Sequence, residues 1–512
     1  MRKRFHGTAR LAFLPAGALL LLTAQAFAQD SLSDSVEQFL ADTQKKVDEV
    51  RVWKFHLVPS LKQSLIYTDN VYLNDDNEND TTLTKVTQPG GVVITDPDQL
   101  ARIAANTPEF QQAQSLGVLD DFILQTDFAT DLVLPVNEEY FNAFQRHSIT
   151  LLGAKVRVQE YLDRNELDNT SVFLHTDLFG FINDILNQSW GRSFWVRVKD
   201  DYSKLKDPLD TEIRLLGQTG ITTVADFHDF GREENTFNFD TGWTGAKVDA
   251  SVGYENYHLW LDDHELDQAQ HVRHNVHGEV GSKIPGWEQQ RAYLRYDFWW
   301  YRFDEAPVVD ANGNVSDQQV LNDATVQQAM LGVQGPILSD RTMFRIEGGY
   351  GSWDPDTNGL AADDSSFHGP MGRFQAVYKP WEERDSRVSF EYYKSIDYSS
   401  ISNYNLSHNA LLQVAHEFVP KRWLADVSFA YTATRPSDGP DRNLFEAGAG
   451  LTYHAYPQMD VTLRYVFRHQ TATNEIVTNS AFSRGGTIYE YQIVSDSEFV
   501  QNIVELGVLL QF

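Results

Sequence analysis

From Trp53 onward, apolar and polar residues alternate with a period of two. Phe55, Leu57, Pro59, Leu61 and Leu65 alternate with Lys54, His56, Ser60 and Lys62, and Phe122, Leu124, Phe128, Leu132 and Leu134 with Gln125, Asp127 and Asp131. Ala292, Leu294, Tyr296, Phe298 and Trp300 oppose Arg291, Arg295 and Asp297 in the same way. At the end of the chain Val500, Val504, Leu506, Val508, Leu510 and Phe512 share one parity, and Gln501, Glu505, Gly507 and Gln511 the other. Successive strand side chains point to opposite faces, so each segment predicts a strand with one apolar and one polar face. Counting them gives about eighteen strands of ~10 residues, the length that crosses a bilayer with tilt.

The connections follow a rule. With the strand from Trp53 taken as upward, the long ones are Asn70 to Leu119, Asp201 to Asn235, Asp304 to Asp323, Trp353 to Ser366 and Thr471 to Ser497, all on one side. The tight ones, such as Thr244-Gly245, Pro420-Lys421-Arg422 and Tyr456-Pro457-Gln458, fall on the other. The exception is Ile182 to Arg192, which falls on the short side and is read as a helical turn. Short periplasmic turns and long external loops predict an all-β fold: a transmembrane antiparallel β-barrel of about eighteen strands (16 to 18) over residues 53–512.

Composition and the first residues are consistent with this. Arg2, Lys3, Arg4 and Arg10 precede the apolar run Leu11 to Ala24 and an Ala26-Phe27-Ala28 site, so residues 1–28 read as a secretory signal peptide. Residues 29–52, with Val36, Phe39, Leu40 and Val47 near helical spacing, read as a periplasmic segment containing a short helix. An exported chain with no cysteine has no disulfide framework and no thiolate metal site. The mean hydropathy of -0.41 fits a barrel, which needs apolar residues on only one face of each strand. A net charge of -30 disfavours nucleic acid as a partner, and 31 Phe, 22 Tyr and 11 Trp suit interfacial girdles.

Three stretches carry a resemblance. The C-terminal strand ending on Phe512 resembles the closing strand and assembly signal of Gram-negative outer-membrane barrels. Pro59 to Tyr72, with Tyr67-Thr68-Asp69-Asn70, and the Ser399 to Tyr431 region, with Asn405-Leu406-Ser407-His408 and Phe418-Val419-Pro420-Lys421-Arg422-Trp423, resemble the β-barrel porin 2 family. That resemblance implies an outer-membrane barrel, and some of the family are linked to exopolysaccharide systems.

Several clusters carry side chains capable of chemistry. His271 and His277 share a face, but His274 points to the other, so the three cannot converge on a metal from one strand. Asp354-x-Asp356-x-Asn358-Gly359 reproduces the first half of a calcium loop, with Ser365 where the bidentate acid belongs. The outward parity holds His274 and His416 without a clearly paired serine, so no catalytic residue, cofactor or metal site is assigned and the chain is read as a non-enzyme. The apolar stripe Leu100, Ile103, Phe110 and Leu116 predicts either a loop folded inward as a constriction or one packed on its neighbours.

The polar parity also carries Arg291, Arg295, Arg341, Arg345, Arg373, Arg387, Arg464 and Arg468. As pore-lining residues they would form an anion-favouring wall, unless Asp297, Glu347, Glu391 and Glu417 on the same faces neutralise them in an ion-pair lattice. The expected function is a channel or exporter for polar solutes, anionic ones and polysaccharide included. The alternative is a non-conducting barrel whose acidic loops bind surface polysaccharide or a partner protein. Expected partners are outer-membrane lipid and lipopolysaccharide, and the barrel assembly machinery. Phe512→Ser is expected to reduce membrane-inserted, heat-modifiable protein; normal insertion would count against the assembly-signal reading.

Overall fold

A computed structural model describes residues 51–52, 55–69, 80–88, 92–104, 120–134, 150–163, 167–178, 193–205, 231–261, 270–303, 306–309, 315–320, 322–337, 339–357, 365–381, 386–398, 404–437, 441–456, 458–472, 476–484, 487–495 and 499–511. The signal peptide, the helix read within 29–52, the 182–192 connection and Phe512 lie outside them.

The chain forms an 18-strand closed antiparallel barrel. Its strands are β1 (Phe55–Thr68), β2 (Asp121–Leu134), β3 (Thr150–Tyr161), β4 (Asn169–Asp177), β5 (Phe194–Leu205), β6 (Arg232–Thr244), β7 (Val248–Leu261), β8 (His271–Ile284) and β9 (Trp287–Phe303). They continue as β10 (Asn322–Ile337), β11 (Ser339–Thr357), β12 (Phe367–Tyr378), β13 (Ser386–Tyr398), β14 (Tyr404–Val419), β15 (Trp423–Pro436), β16 (Arg442–Tyr456), β17 (Met459–Ala472) and β18 (Phe499–Gln511). Each strand pairs with its sequence neighbours, and β1 closes the cylinder on β18. No helix among the described residues is long and apolar enough to cross a membrane; the strands do the crossing.

Burial shows which parity faces where. Leu65, Phe128, Val156, Leu294, Leu331, Ile346, Phe390, Phe429, Leu463 and Leu506 are exposed, while Asp127, Gln159, Asp177, Arg291, Glu391 and Gln501 are buried. A water-soluble fold would bury the first set and expose the second. Here the apolar faces form an outer belt and the polar faces line the lumen, as a bilayer requires. At the closure, Leu506 stands between Leu65 and Leu463 on the belt. Inside, the Lys62 ammonium lies 2.5 Å and the Ser64 hydroxyl 2.8 Å from the Glu505 carboxylate, so the first and last strands are also bonded through side chains.

Tight turns join strands at the periplasmic end. Pro285-Gly286 connects β8 to β9, with Gly286 at φ 83°, a conformation that favours glycine. Externally, the first and last loops meet. Strands Asp80–Gln88 and Val92–Ile94 of the first loop join Ile476–Arg484 and Thr487–Ser495 of the last in a four-stranded sheet. Helix α1 (Pro97–Ala104) packs on Asp80–Gln88, and Leu83, Val86 and Leu100 are buried. Of the two outcomes read for the Leu100 stripe, the described part packs on its neighbours; Phe110 and Leu116 lie outside the described residues. Val86 is 1% exposed, so Val86→Asp is expected to cost the loop sheet on the order of 3 kcal/mol. External proteolysis should accelerate while heat modifiability of the barrel persists.

Candidate functional site: the lumen and its external mouth

The alternation places the polar side chains of all eighteen strands inside one cylinder, where they meet across the ladders. Arg291, 6% exposed, bonds Asp249 across from β7 and lies 2.5 Å from Glu279 of β8. Its room comes from Gly281, where an added Cβ would overlap the guanidinium. Arg295 pairs with Asp297 at 2.8 Å and Arg345 with Glu347 at 2.5 Å; residues i and i+2 share a strand face. Arg373 meets Glu391 at 2.8 Å, and Arg468 meets Glu446 at 2.8 Å. Arg387 and Arg464 lie in the electrostatic field of Asp426, while Arg341 stands exposed at the periplasmic end with its Nη1 3.2 Å from the Pro380 carbonyl. Further round, Arg157 pairs with Asp127, Arg197 with Asp177, and Arg273 with Glu255. The arginines thus form an arc, with carboxylates interleaved.

The three histidines separate as their parity requires. His277 bonds Asp240 at 2.8 Å inside. His274 stacks on Trp300 at 4.8 Å and accepts or donates to the Tyr254 hydroxyl at 2.8 Å on the outer face. Asp354 and Asp356 of the calcium-loop pattern belong to β11 and pair with Thr325 and Asp323, so this half of the pattern is extended strand. Asn358 and Gly359 lie outside the described residues. The outward His416 does have a serine, Ser386, with Oγ 2.9 Å from its Nδ1. Ser386 is 3% exposed and also accepts the Glu417 amide, so its oxygen is enclosed by the periplasmic rim.

The external mouth holds a feature parity alone did not reveal. The β12–β13 ladder runs from Tyr378↔Val388 to Arg373↔Tyr393 and stops there, although both strands continue outward. Beyond it, β13 stays paired to β14 up to Tyr398↔Tyr404. Ile396 and Tyr398 share a strand face with the exposed belt residue Phe390, yet they pack on the lumen-facing set Tyr301, Phe303, Val326, Trp353 and Met371. The Tyr398 ring is 4.4 Å from Phe303 and 5.0 Å from His271, and Tyr404 is 6.1 Å from Trp353. β9 and β13 are four strand steps apart, roughly 19 Å of wall at ~4.8 Å per step. Ring contact across that span requires the external ends of β13 and β14 to lie inside the wall, the outer face of β13 turned onto the inner face of β9 to β12. Trp353, at 0% exposure, is the centre of that packing.

Sequence reading missed this cluster, although a signal is present. On β9 the lumen parity changes from Arg291, Arg295 and Asp297 to Trp299, Tyr301 and Phe303, and on β11 from Arg345 and Glu347 to Trp353. Aromatics on the polar parity near the external end report something inside the barrel for them to cover.

Among solved structures, the chain resembles the outer-membrane expressed OmpT of Vibrio cholerae, at 8% identity over 91% of this chain and 100% of that one, TM-score 0.31. It also resembles the siderophore receptor PirA from Pseudomonas aeruginosa (8%, 91% and 81%, TM-score 0.35) and the FrpB iron transporter from Neisseria meningitidis (7%, 93% and 84%, TM-score 0.37). No family model and no curated protein matches the chain. The closed cylinder, apolar belt and charged lumen make it an outer-membrane β-barrel of a Gram-negative bacterium.

Proposed function

We propose that the chain is a gated outer-membrane channel for polar solutes, in the state seen here narrowed at its external mouth by the β13–β14 hairpin. The observation that carries the reading is the external end of β13 and β14, laddered to β15 up to Asn405↔Pro436 but held against β9 to β12 by ring contacts with no ladder on the β12 side. Non-covalent packing of this kind opens and closes on accessible timescales, whereas the hydrogen-bonded wall does not. Polar cargo suits a wall of paired charges. Each arginine of the arc from Arg291 to Arg373 is matched by a carboxylate, so the wall carries balanced charge and suits polar cargo without selecting the sign of its charge.

The test uses the absence of cysteine. Phe303→Cys with Tyr398→Cys, bridged by a short reducible bis-methanethiosulfonate in place of the two rings, should pin the hairpin. In planar bilayers, wild type is expected to show gated steps that the bridged pair lacks and the same pair regains on reduction. Silence in all three would remove the channel reading. The reversal potential across a salt gradient should show weak ion selectivity in wild type and a shift toward cations in Arg345→Gln with Arg373→Gln, which leaves Glu347 and Glu391 unmatched; strong anion selectivity in wild type would reject the balanced wall.

A second reading, a barrel whose external face binds surface polysaccharide, is favoured by the four-stranded loop sheet and its packed helix. Polysaccharide retention lost on trimming the loops, with no current in any variant, would select it.

A further inference from the structure

The unpaired edge between β12 and β13 lies where a barrel wall should be sealed. β12 continues from Gly372 to Phe367 against β11 alone, and β13 from Lys394 to Tyr398 against β14 alone. Phe367–Gly372 is about 20 Å of strand, and it occupies the external half of a cylinder that crosses ~30 Å of hydrocarbon. The open edge therefore stands at the height of the outer leaflet. Unpaired backbone there is costly, because lipid offers no replacement hydrogen bonds.

The sequence builds this edge locally. The Pro370 carbonyl accepts a hydrogen bond from Lys394 Nζ at 2.9 Å, so it faces β13. In an antiparallel strand a residue's nitrogen points the same way as its carbonyl, and the nitrogen of Pro370 carries no hydrogen. That position can accept but not donate across the seam, so a ladder there lacks one of its bonds. Gly369 adjoins it, and an added Cβ there would stand 2.7 Å from the Phe367 ring, so a larger residue is disfavoured as well. Behind the edge sits an apolar island in a charged lumen: Val326, Met330, Trp353 and Met371 are all buried, covered by Ile396 and Tyr398 of the hairpin. Two methionines give that island a surface that can repack around different shapes. Arg273 borders it, with Asp397 of the hairpin in its electrostatic field.

The geometry points to a lateral portal. An amphiphile with a single apolar chain and an anionic head passes between the outer leaflet and the lumen through the β12–β13 seam. Its chain takes the place of Ile396 and Tyr398 against Trp353 and Met371 as the hairpin swings away, and its head meets Arg273 as Asp397 leaves. The occupant follows from the position: the seam faces lipid, and the surface behind it is apolar with a cation at its margin.

The experiment reads labelling rather than current, so a barrel that conducts no ions leaves it intact. Wild type is placed in phosphatidylethanolamine vesicles containing a palmitate that bears a photoactivatable diazirine on its chain. After illumination, labelled residues are mapped by mass spectrometry. Label is expected on lumen-facing Val326, Met330, Trp353 and Met371, besides Leu331 and Phe390 of the outer belt. The bridged Phe303→Cys, Tyr398→Cys pair should lose the lumen label and keep the belt label. A second lock, Met371→Cys with Ser395→Cys, continues the Arg373↔Tyr393 register and zips the seam itself; it should lose lumen label at Val326, Met330 and Trp353. Belt label reports insertion in every sample. Belt label without lumen label in wild type would overturn the portal. So would lumen label that survives both locks, or a seam that crosslinks to a second copy of the chain instead of to palmitate.

Discussion

Replacing Arg291 by leucine is expected to lower the unfolding free energy of the vesicle-inserted barrel by about 3 kcal/mol, toward the lower end of what breaking a buried pair costs. The guanidinium is the shared partner of Asp249 and Glu279, whose side chains keep about a quarter of their exposure. Its loss leaves two like charges together in a partly dehydrated wall, and their residual hydration is what holds the cost down. Leucine fills most of the volume, so the effect is chiefly electrostatic. Adding Asp249→Asn and Glu279→Gln should recover most of the loss, because removing all three charges removes the uncompensated ones. Arg341→Leu at the exposed periplasmic end should change stability by less than about 0.5 kcal/mol. Urea titrations of the variants, followed by fluorescence and heat-modifiable mobility, decide it. A loss at Arg291 no larger than at Arg341 would mean that the lattice is fully solvated and contributes little.

Trp353→Ala should open the mouth without unfolding the barrel. Truncating a buried Trp costs about 3 to 5 kcal/mol where the site cannot collapse. Trp353 lies in β11, whose ladders to β10 and β12 do not depend on its side chain. The hairpin does depend on it, through Tyr404 and the Ile396 and Tyr398 cluster. If about 3 kcal/mol of the loss falls on the hairpin equilibrium, the open fraction rises on the order of a hundredfold, since each ~1.4 kcal/mol is tenfold. Single-channel open probability should rise while the urea midpoint stays near wild type. A lowered midpoint with no gain in current would place Trp353 in the stability of the wall instead.

The contrast between these sites shows what could be read from sequence. The belt was legible because lipid outside and side chains inside impose period two on every strand, so Leu506 and Gln501 could be assigned to opposite faces from position alone. The arginine faces were legible for the same reason, and the carboxylates beside them were visible as i, i+2 partners at Arg295 and Arg345. Pairing across strands, as between Arg291 and Asp249, depends on register, which period two does not supply. The hairpin was hidden for a different reason. Parity reports which face a residue occupies, and the tip of β13 keeps its parity while the wall it belongs to turns inward. Only Gly369-Pro370 and the aromatics on the polar parity of β9 and β11 marked the place.

The loop sheet joins the first external loop to the last, and the strand between Thr487 and Ser495 has its partner Asp80–Gln88 some four hundred residues earlier in the chain. The two strands are brought side by side where β18 closes on β1. The outside of the barrel therefore carries a record of its completion. A ligand or antibody specific for the paired sheet would recognise finished barrels and ignore chains stalled one hairpin short, giving a surface readout of the last step of assembly.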